Sequence, residues 1–298
     1  MASDGLVMKL WQNIQSEIQQ VTESSFQITE KIPVSGGDIN QAFRLLGKQK
    51  EYLVKINSDE YADMFIQESA GLKALESTNS FIIPKVIIYG VFQDQSYLVL
   101  EYLPMHQHGD ITDFANALAK LHLTTYSKFG FHKDNYIGKT PQINRLGSNW
   151  GEFFAEQRID FQLDLLQQKH VPNSLIKKGR QMVKNLPNYL NGRQLKPALV
   201  HGDLWQGNYA FNQTGLPVIF DPACYYADHE VDLAMLELFG SPGKNFFSAY
   251  DRVYKIEEGY SIRRKIYNLY HILNHANLFG GNYVLQSEKI INELEFLY

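Results

Sequence analysis

Residues 199–221 read LVHGDLWQGNYAFNQTGLPVIFD, and this stretch restricts the chain more than any other. The apolar step Leu199-Val200 turns through His201, Gly202 and Asp203, and Asn208 follows Asp203 by five positions. In kinase-type sites an aspartate takes the proton of the attacking hydroxyl, and an asparagine at that spacing holds a Mg²⁺ that bridges nucleotide phosphates. A second carboxylate must then reach the same metal from another strand. Val218, Ile219 and Phe220 form a short β-branched and aromatic run closed by Asp221, which places that carboxylate at a strand end facing a cleft. Taken singly, an Asp in such a turn or after a strand is an ordinary turn former or helix cap. The ordered set Asp203, Asn208, strand, Asp221 is more specific, because a turn alone requires neither the asparagine nor the strand that follows.

Composition narrows the remaining options. A chain of 298 residues holds one large domain or two lobes, and 44% apolar residues suffice for a sizeable core. The formal net charge is −4 and no basic run occurs, which argues against a nucleic-acid partner. Cys224 is the single cysteine, so an internal disulfide is excluded, a reducing compartment is expected, and the thiol reads as a small packed residue. No signal-peptide pattern opens the chain and no run of about 18 apolar residues occurs, so a cytoplasmic protein without membrane segments is expected. Repeats and Pro/Gly/Ser-rich linkers are absent, so two lobes, if present, are joined tightly.

Leu6, Leu10, Ile14, Ile18 and Val21 sit at helical spacing and predict an amphipathic leading helix. Strands are expected over 26–28, 32–34, 42–46, 51–56, 86–89 and 97–100. Between the second and third, Gly36 and Gly37 lack side chains, so the backbone there can approach phosphate oxygens; a routine hairpin turn reads the same way. Lys55 interrupts an apolar strand, and Glu68 follows it by thirteen residues on a helix that Ser58 or Asp59 would cap. Glycine loop, strand lysine and helix glutamate arrive in the order that kinase N-lobes use, so Lys55 is expected to contact phosphates and to pair with Glu68. The strand over 97–100 runs into Glu101-Tyr102-Leu103-Pro104, a proline-marked stop where adenine could bond the backbone of Glu101 and Leu103. An N-terminal lobe over 1–102 and a C-terminal lobe over 103–298 follow.

Beyond that hinge the pattern turns helical, with Phe114, Leu118, Leu121 and His122 on one helix and Trp150, Phe153, Phe154, Ile159 and Leu163 on another. Between them residues 129–138 read as a long polar and aromatic loop, a candidate for shaping the acceptor pocket. About ten residues separate Asp221 from the helix that carries Asp232, which leaves no room for the long regulated segment of protein kinases and implies a small acceptor. Asp232 could accept backbone hydrogen bonds from the loop around Asp203, or simply cap its own helix.

The ordered set GGDIN, LVKI, Glu68, LVLEYLP, FGFHKDNYIGKTPQ, LVHGDLWQGN and DPACYYADHEVDLAM resembles the fructosamine (ketosamine) kinase family over nearly the whole chain. HGDLW with its GN, followed by DPA where choline and aminoglycoside kinases carry other residues, and the separate DNYIG-TPQ signature are its specific parts. The resemblance implies an α+β, two-lobed protein-kinase-like fold with a small antiparallel-sheet N-lobe and a larger, mainly helical C-lobe. It implies ATP- and Mg²⁺-dependent phosphorylation of the sugar 3-hydroxyl of ketosamines, either small molecules or glycated lysines, after which the unstable product frees the amine. By carry-over Asp203 resembles the catalytic base, Asn208 and Asp221 the metal ligands, Lys55 the phosphate-binding lysine and Glu68 its partner. Gln206 stands where many members carry Ser or Gly, and Asp228 where Gly is frequent.

On charge grounds Asp203 would orient and deprotonate the hydroxyl in line with the γ-phosphorus. Trp205 could stack on the sugar or on the linked amine, or anchor its loop, and Asp134 and Asn135 are the acceptor-side candidates of the 129–138 stretch. An aminoglycoside- or choline-type kinase and a nucleotide-binding regulator without turnover are the competing readings; Lys133 and Lys139 disfavour a polycationic acceptor.

Overall fold

The computed structural model describes residues 2–35 and 39–297. The N-terminal part is one antiparallel sheet in the order β1-β2-β3-β5-β4, built from β1 (Glu30–Val34), β2 (Gln41–Leu46), β3 (Glu51–Ser58), β4 (Val86–Phe92) and β5 (Gln95–Glu101). Helix α1 (Ala2–Thr22) covers one face and α2 (Ala62–Glu76) the other. Strand alternation divides the side chains between them: Val54, Ile56, Tyr97 and Val99 join Leu10, Ile14 and Ile18 of α1, whereas Leu98 and Leu100 join Phe65, Leu72 and Leu75 of α2. Lys55 alternates with Val54 and Ile56 and therefore points to the α2 side. That parity brings it to Glu68.

Three expectations for this lobe change. Residues 26–28 are not a strand: the Phe26 carbonyl accepts from Gln19 Nε2 at 2.7 Å and the Ile28 amide donates to Gln15 Oε1 at 2.9 Å, so α1 side chains take the bonds a neighbouring strand would supply. Val21 is 56% exposed in the last turn of α1, and Trp11, midway along the helix, joins the buried face instead. Neither Ser58 nor Asp59 caps α2, because Ser58 ends β3 and a 3₁₀ turn, Asp59–Tyr61, intervenes.

The C-terminal part is mainly helical. Strand β6 (Met105–His106) leads to α3 (Ile111–His122), capped by Asp110, whose Oδ1 accepts the Thr112 amide at 2.7 Å. Residues 135–142 form a hairpin of β7 (Asn135–Ile137) and β8 (Thr140–Gln142) rather than open loop. Helix α4 (Trp150–Phe154) passes through a π-helical turn, Ala155–Asp160, into α5 (Phe161–Gln167), and Trp150, Phe153, Phe154, Ile159 and Leu163 are buried as their spacing predicts. After α6 (Asn173–Leu190) come four short strands: β9 (Ala198–Val200), β10 (Tyr209–Asn212), β11 (Pro217–Ile219) and β12 (Tyr225–Ala227). Helices α7 (Glu230–Leu238), α8 (Lys244–Val253), α9 (Tyr260–Phe279) and α10 (Asn282–Glu293) complete the lobe. The two parts meet directly: Tyr136 donates to Asp63 at 3.0 Å, and α2 carries Gly71 where a Cβ would lie 3.1 Å from the Pro222 ring.

Candidate active site

The turn after β9 is held by one buried carboxylate. Asp232, on the first turn of α7, accepts the His201 amide at 2.8 Å on Oδ2 and the Gly202 amide at 2.9 Å on Oδ1, with His122 Nε2 3.1 Å away. Of the two readings of Asp232, the loop-holding one describes what it does. Burial would raise its pKa, but the His122 bond and the neighbouring imidazole and amide groups pull it below the usual carboxylate range. Gly202 has φ +84°, and a Cβ there would fall 2.0 Å from the Ala223 carbonyl oxygen, so only glycine fits the turn. His201 bridges two segments: its Nε2 lies 2.8 Å from the Phe220 carbonyl, and its Nδ1 accepts the Asp203 amide at 3.2 Å. Burial lowers its pKa and keeps the ring neutral, in the tautomer those two bonds require.

Asn208 and Asp221 flank a single hairpin. Tyr209 pairs with Ile219 in the β10–β11 ladder, and one step beyond it the Phe220 amide donates to the Asn208 carbonyl at 3.1 Å. The Asn208 carboxamide nitrogen donates to Asp203 O at 2.8 Å and Asp203 Oδ2 at 3.1 Å, which fixes the amide and leaves its Oδ1 as the atom available to a cation. Asp221 lies at φ +57°, a left-handed conformation uncommon outside glycine and a mark of functional sites. Its side chain is 42% exposed and receives Lys55 Nζ at 2.5 Å, while the same ammonium meets Glu68 Oε1 at 2.6 Å. The Lys55–Glu68 pairing expected from spacing is present, with Asp221 as a third member.

These charges tune one another. Burial would lower the Lys55 pKa, but Asp221 and then Glu68 hold the ammonium above its usual range. Asp203, half-buried and reachable, is pushed up to about 7, first by burial and then by the charge of Asp221, against the pull of the Asn208 bond. A cation on Asp221 would remove part of that upward push.

The remaining candidates separate. Gly36 and Gly37 lie outside the described residues; just after them, Asn57 Nδ2 holds the Ile39 carbonyl at 3.1 Å and Asn40 Oδ1 at 2.7 Å. Glu101 donates its amide to the Lys85 carbonyl at 2.8 Å, and Leu103 follows outside the sheet. Asn135 is reassigned from acceptor contact to scaffold: it is buried, donates to the Cys224 carbonyl at 2.8 Å, and accepts from Gln142 at 2.8 Å and Asn144 at 2.9 Å. Asp134 accepts the Asn144 amide at 2.7 Å and serves the same hairpin. Asp228 is buried among Arg193, Tyr267 and His229, away from solvent. Trp205 is half-buried, its indole lying across Gly207, where a Cβ would meet the ring at 2.3 Å. Cys224 is fully buried, with its thiol pushed up by burial, in keeping with a packing role.

Four supporting residues escape a linear reading. Gln142 donates to the Ala223 carbonyl at 3.0 Å, Asn144 holds Asn135, and Arg158, fully buried, bonds Asn144 Oδ1 at 2.7 Å beneath the Tyr225 ring at 4.1 Å. His122 reaches Asp232 from α3. The TPQ motif contains Gln142, but nothing in spacing signals its partner 81 residues on, near Asp221.

A sheet-bearing lobe with a lysine–glutamate pair, closed on a helical lobe with the Asp203, Asn208 and Asp221 set, defines a phosphotransferase of protein-kinase-like fold. Within that class the chain belongs to the fructosamine kinase family, whose model matches residues 10–296. It is 41% identical over 289 residues to the probable ketoamine kinase of Vibrio parahaemolyticus, covering 96% of this chain and 99% of the relative. It is 36% identical over 271 residues to the chloroplastic protein-ribulosamine 3-kinase of Arabidopsis thaliana, covering 90% and 83%. A crystal structure of a candidate fructosamine-3-kinase from Haemophilus somnus superposes with a TM-score of 0.87 at 31% identity, covering 95% of this chain and 97% of that one.

Proposed function

We propose that this protein transfers the γ-phosphoryl group of ATP to the 3-hydroxyl of a ketosamine, a fructosamine or ribulosamine, and that Asp203 is the base. The observation that carries the reading is the bonded set Glu68–Lys55–Asp221, which joins the two lobes, beside the Asp203–Asn208 pair. Family membership supports the phosphoryl donor and the sugar acceptor.

In this reading Asp203 accepts the proton of the sugar hydroxyl as its oxygen bonds the γ-phosphorus. The bond from that phosphorus to the bridging oxygen breaks and ADP leaves. Lys55 sits against the α/β-phosphates, its charge fixed by Glu68. Asn208 Oδ1 and the Asp221 carboxylate are hard oxygen donors that suit Mg²⁺, which when bound supplies neutralising charge to the phosphates. Asp232, through the His201 and Gly202 amides, keeps Asp203 at the cleft. Glu101 and Leu103 offer adenine backbone groups. The lobe division between 102 and 103 and residence in the cytoplasm belong to the same proposal. Among the described residues no helix is long and apolar enough to cross a membrane.

ADP release with ribulosamine, erythrulosamine and fructosamine acceptors, against choline and kanamycin, tests the proposal. Release confined to the ketosamines is expected; release with choline or kanamycin alone, or the absence of release with every acceptor, would overturn it.

A further inference from the structure

A continuous run of aromatic rings leaves the catalytic loop and ends on the outside of the C-lobe. Trp205, two residues after Asp203, meets Phe239 edge-on at 6.0 Å between centroids. Phe239 meets His275 edge-on at 5.6 Å; His275 stacks on Phe279 at 5.8 Å and on Tyr283 at 5.0 Å. This run starts against the core, through Tyr283, and comes out of it. Phe239 is 41% and Phe279 55% exposed, whereas Leu204, between Asp203 and Trp205, is fully buried. Single exposed aromatics need no explanation, but five rings in sequence, joined to an active-site loop, form a surface that takes apolar matter.

Its position fits the acceptor side of the cleft. A Cβ on Gly138, at the tip of the β7–β8 hairpin, would touch Leu278 at 3.1 Å and Ile39 at 3.3 Å. The end of α9 that carries Phe279 thus borders the place where the N-lobe loop and the hairpin meet. The ketosamine nitrogen is separated from the reacting hydroxyl by only the first three sugar carbons, so with that hydroxyl at Asp203 the amine and its substituent must leave close by. A secondary ammonium is a good partner for aromatic faces, and an alkyl or aryl group beyond it gains from burial there.

We propose that this aromatic run receives the group carried on the ketosamine nitrogen, so that acceptors with a bulky apolar or aromatic amine are preferred over short hydrophilic ones. The inference rests on the ketosamine reading and assigns Phe239 and Phe279 as specificity-determining residues outside the phosphoryl-transfer machinery. His275 positions both rings by its stacking and edge contacts.

The test compares kcat/KM for the ribulosamine of benzylamine with that of ethanolamine in the wild type, Phe279→Ala and Phe239→Ala. The wild type should favour the benzylamine product, and each substitution should reduce that preference by roughly fivefold to tenfold, mainly through KM. Phe279 is exposed enough that its removal leaves the fold intact, which keeps the test usable if Phe239→Ala misfolds. Turnover of both acceptors with a preference that no substitution alters would overturn this inference and leave the ketosamine reading standing. Absence of ADP release from the wild type with either acceptor would overturn both.

Discussion

Asp203 is held from three directions: the Asn208 amide on its carbonyl and carboxylate, the His201 ring on its amide, and the Asp232 bonds on the two residues before it. Replacing the carboxylate by an amide keeps its size and removes its basicity. Asp203→Asn should therefore bind ATP as the wild type does and lose turnover by about 10²–10⁴-fold, checked by nucleotide titration beside steady-state ADP release. Gly202 supports the same turn by having no side chain. Gly202→Ala must place a methyl 2.0 Å from the Ala223 oxygen at φ +84°, so it should lower stability by more than about 2 kcal/mol, read from the urea midpoint. At this scale the sequence was most legible. Order and spacing singled out Asp203, Asn208, Asp221, Lys55 and Glu68, and the structure bonds Asn208 to Asp203 and Lys55 to both Glu68 and Asp221; phosphoryl-transfer chemistry asks for residue type and local spacing together. Asn135 was misread for a related reason: a polar side chain in a motif looks alike whether it faces a ligand or the inside of a hairpin.

Among elements, the β7–β8 hairpin matters more than a loop would. Gln142 links three segments, donating to Ala223 and Asn135 and accepting from Tyr270 OH at 2.8 Å. Gln142→Ala strands those buried groups and should cost about 1–3 kcal/mol, with the loss visible by hydrogen exchange in the segment following Asp221. Strand and helix periods located most elements, and the failures are physical. Residues 26–28 carry strand-like residues, yet α1 side chains satisfy their backbone. The hairpin was hidden by short strands with polar contents, whose pairing depends on partners on α9 and beside Asp221 that no local pattern reveals.

The whole molecule carries a stability signature in its buried histidines. Burial lowers His271 and His229 to about 3, so both stay neutral in the native state. Unfolded, each takes a proton below about pH 6.5. The unfolded state then binds more protons, and stability from these groups is complete above pH 6.5 and falls as pH drops toward 3. Half-buried carboxyls with raised pKa, Asp203 and Glu68 among them, act in the opposite sense below pH 7, so the informative measurement is a difference. Between pH 6 and 4.5, unfolding free energy should fall less steeply with acidification in His271→Gln than in the wild type, by about 1.4 kcal/mol per pH unit; parallel curves would show that His271 is protonated in the native state.

Order and residue type along the chain determined the two-lobed plan and the candidate set of Asp203, Asn208, Asp221 and Lys55 with Glu68, because phosphoryl transfer asks for those residue types at those local spacings. Tertiary structure alone decided that Asp221 joins Lys55, that Asp232 holds the turn rather than capping its helix, that Asn135 is scaffold, and that rings of α9 and α10 continue the contact of Trp205 with Phe239. Those relations join residues far apart in the chain. They depend on how helices and sheet pack, which spacing along the backbone does not encode.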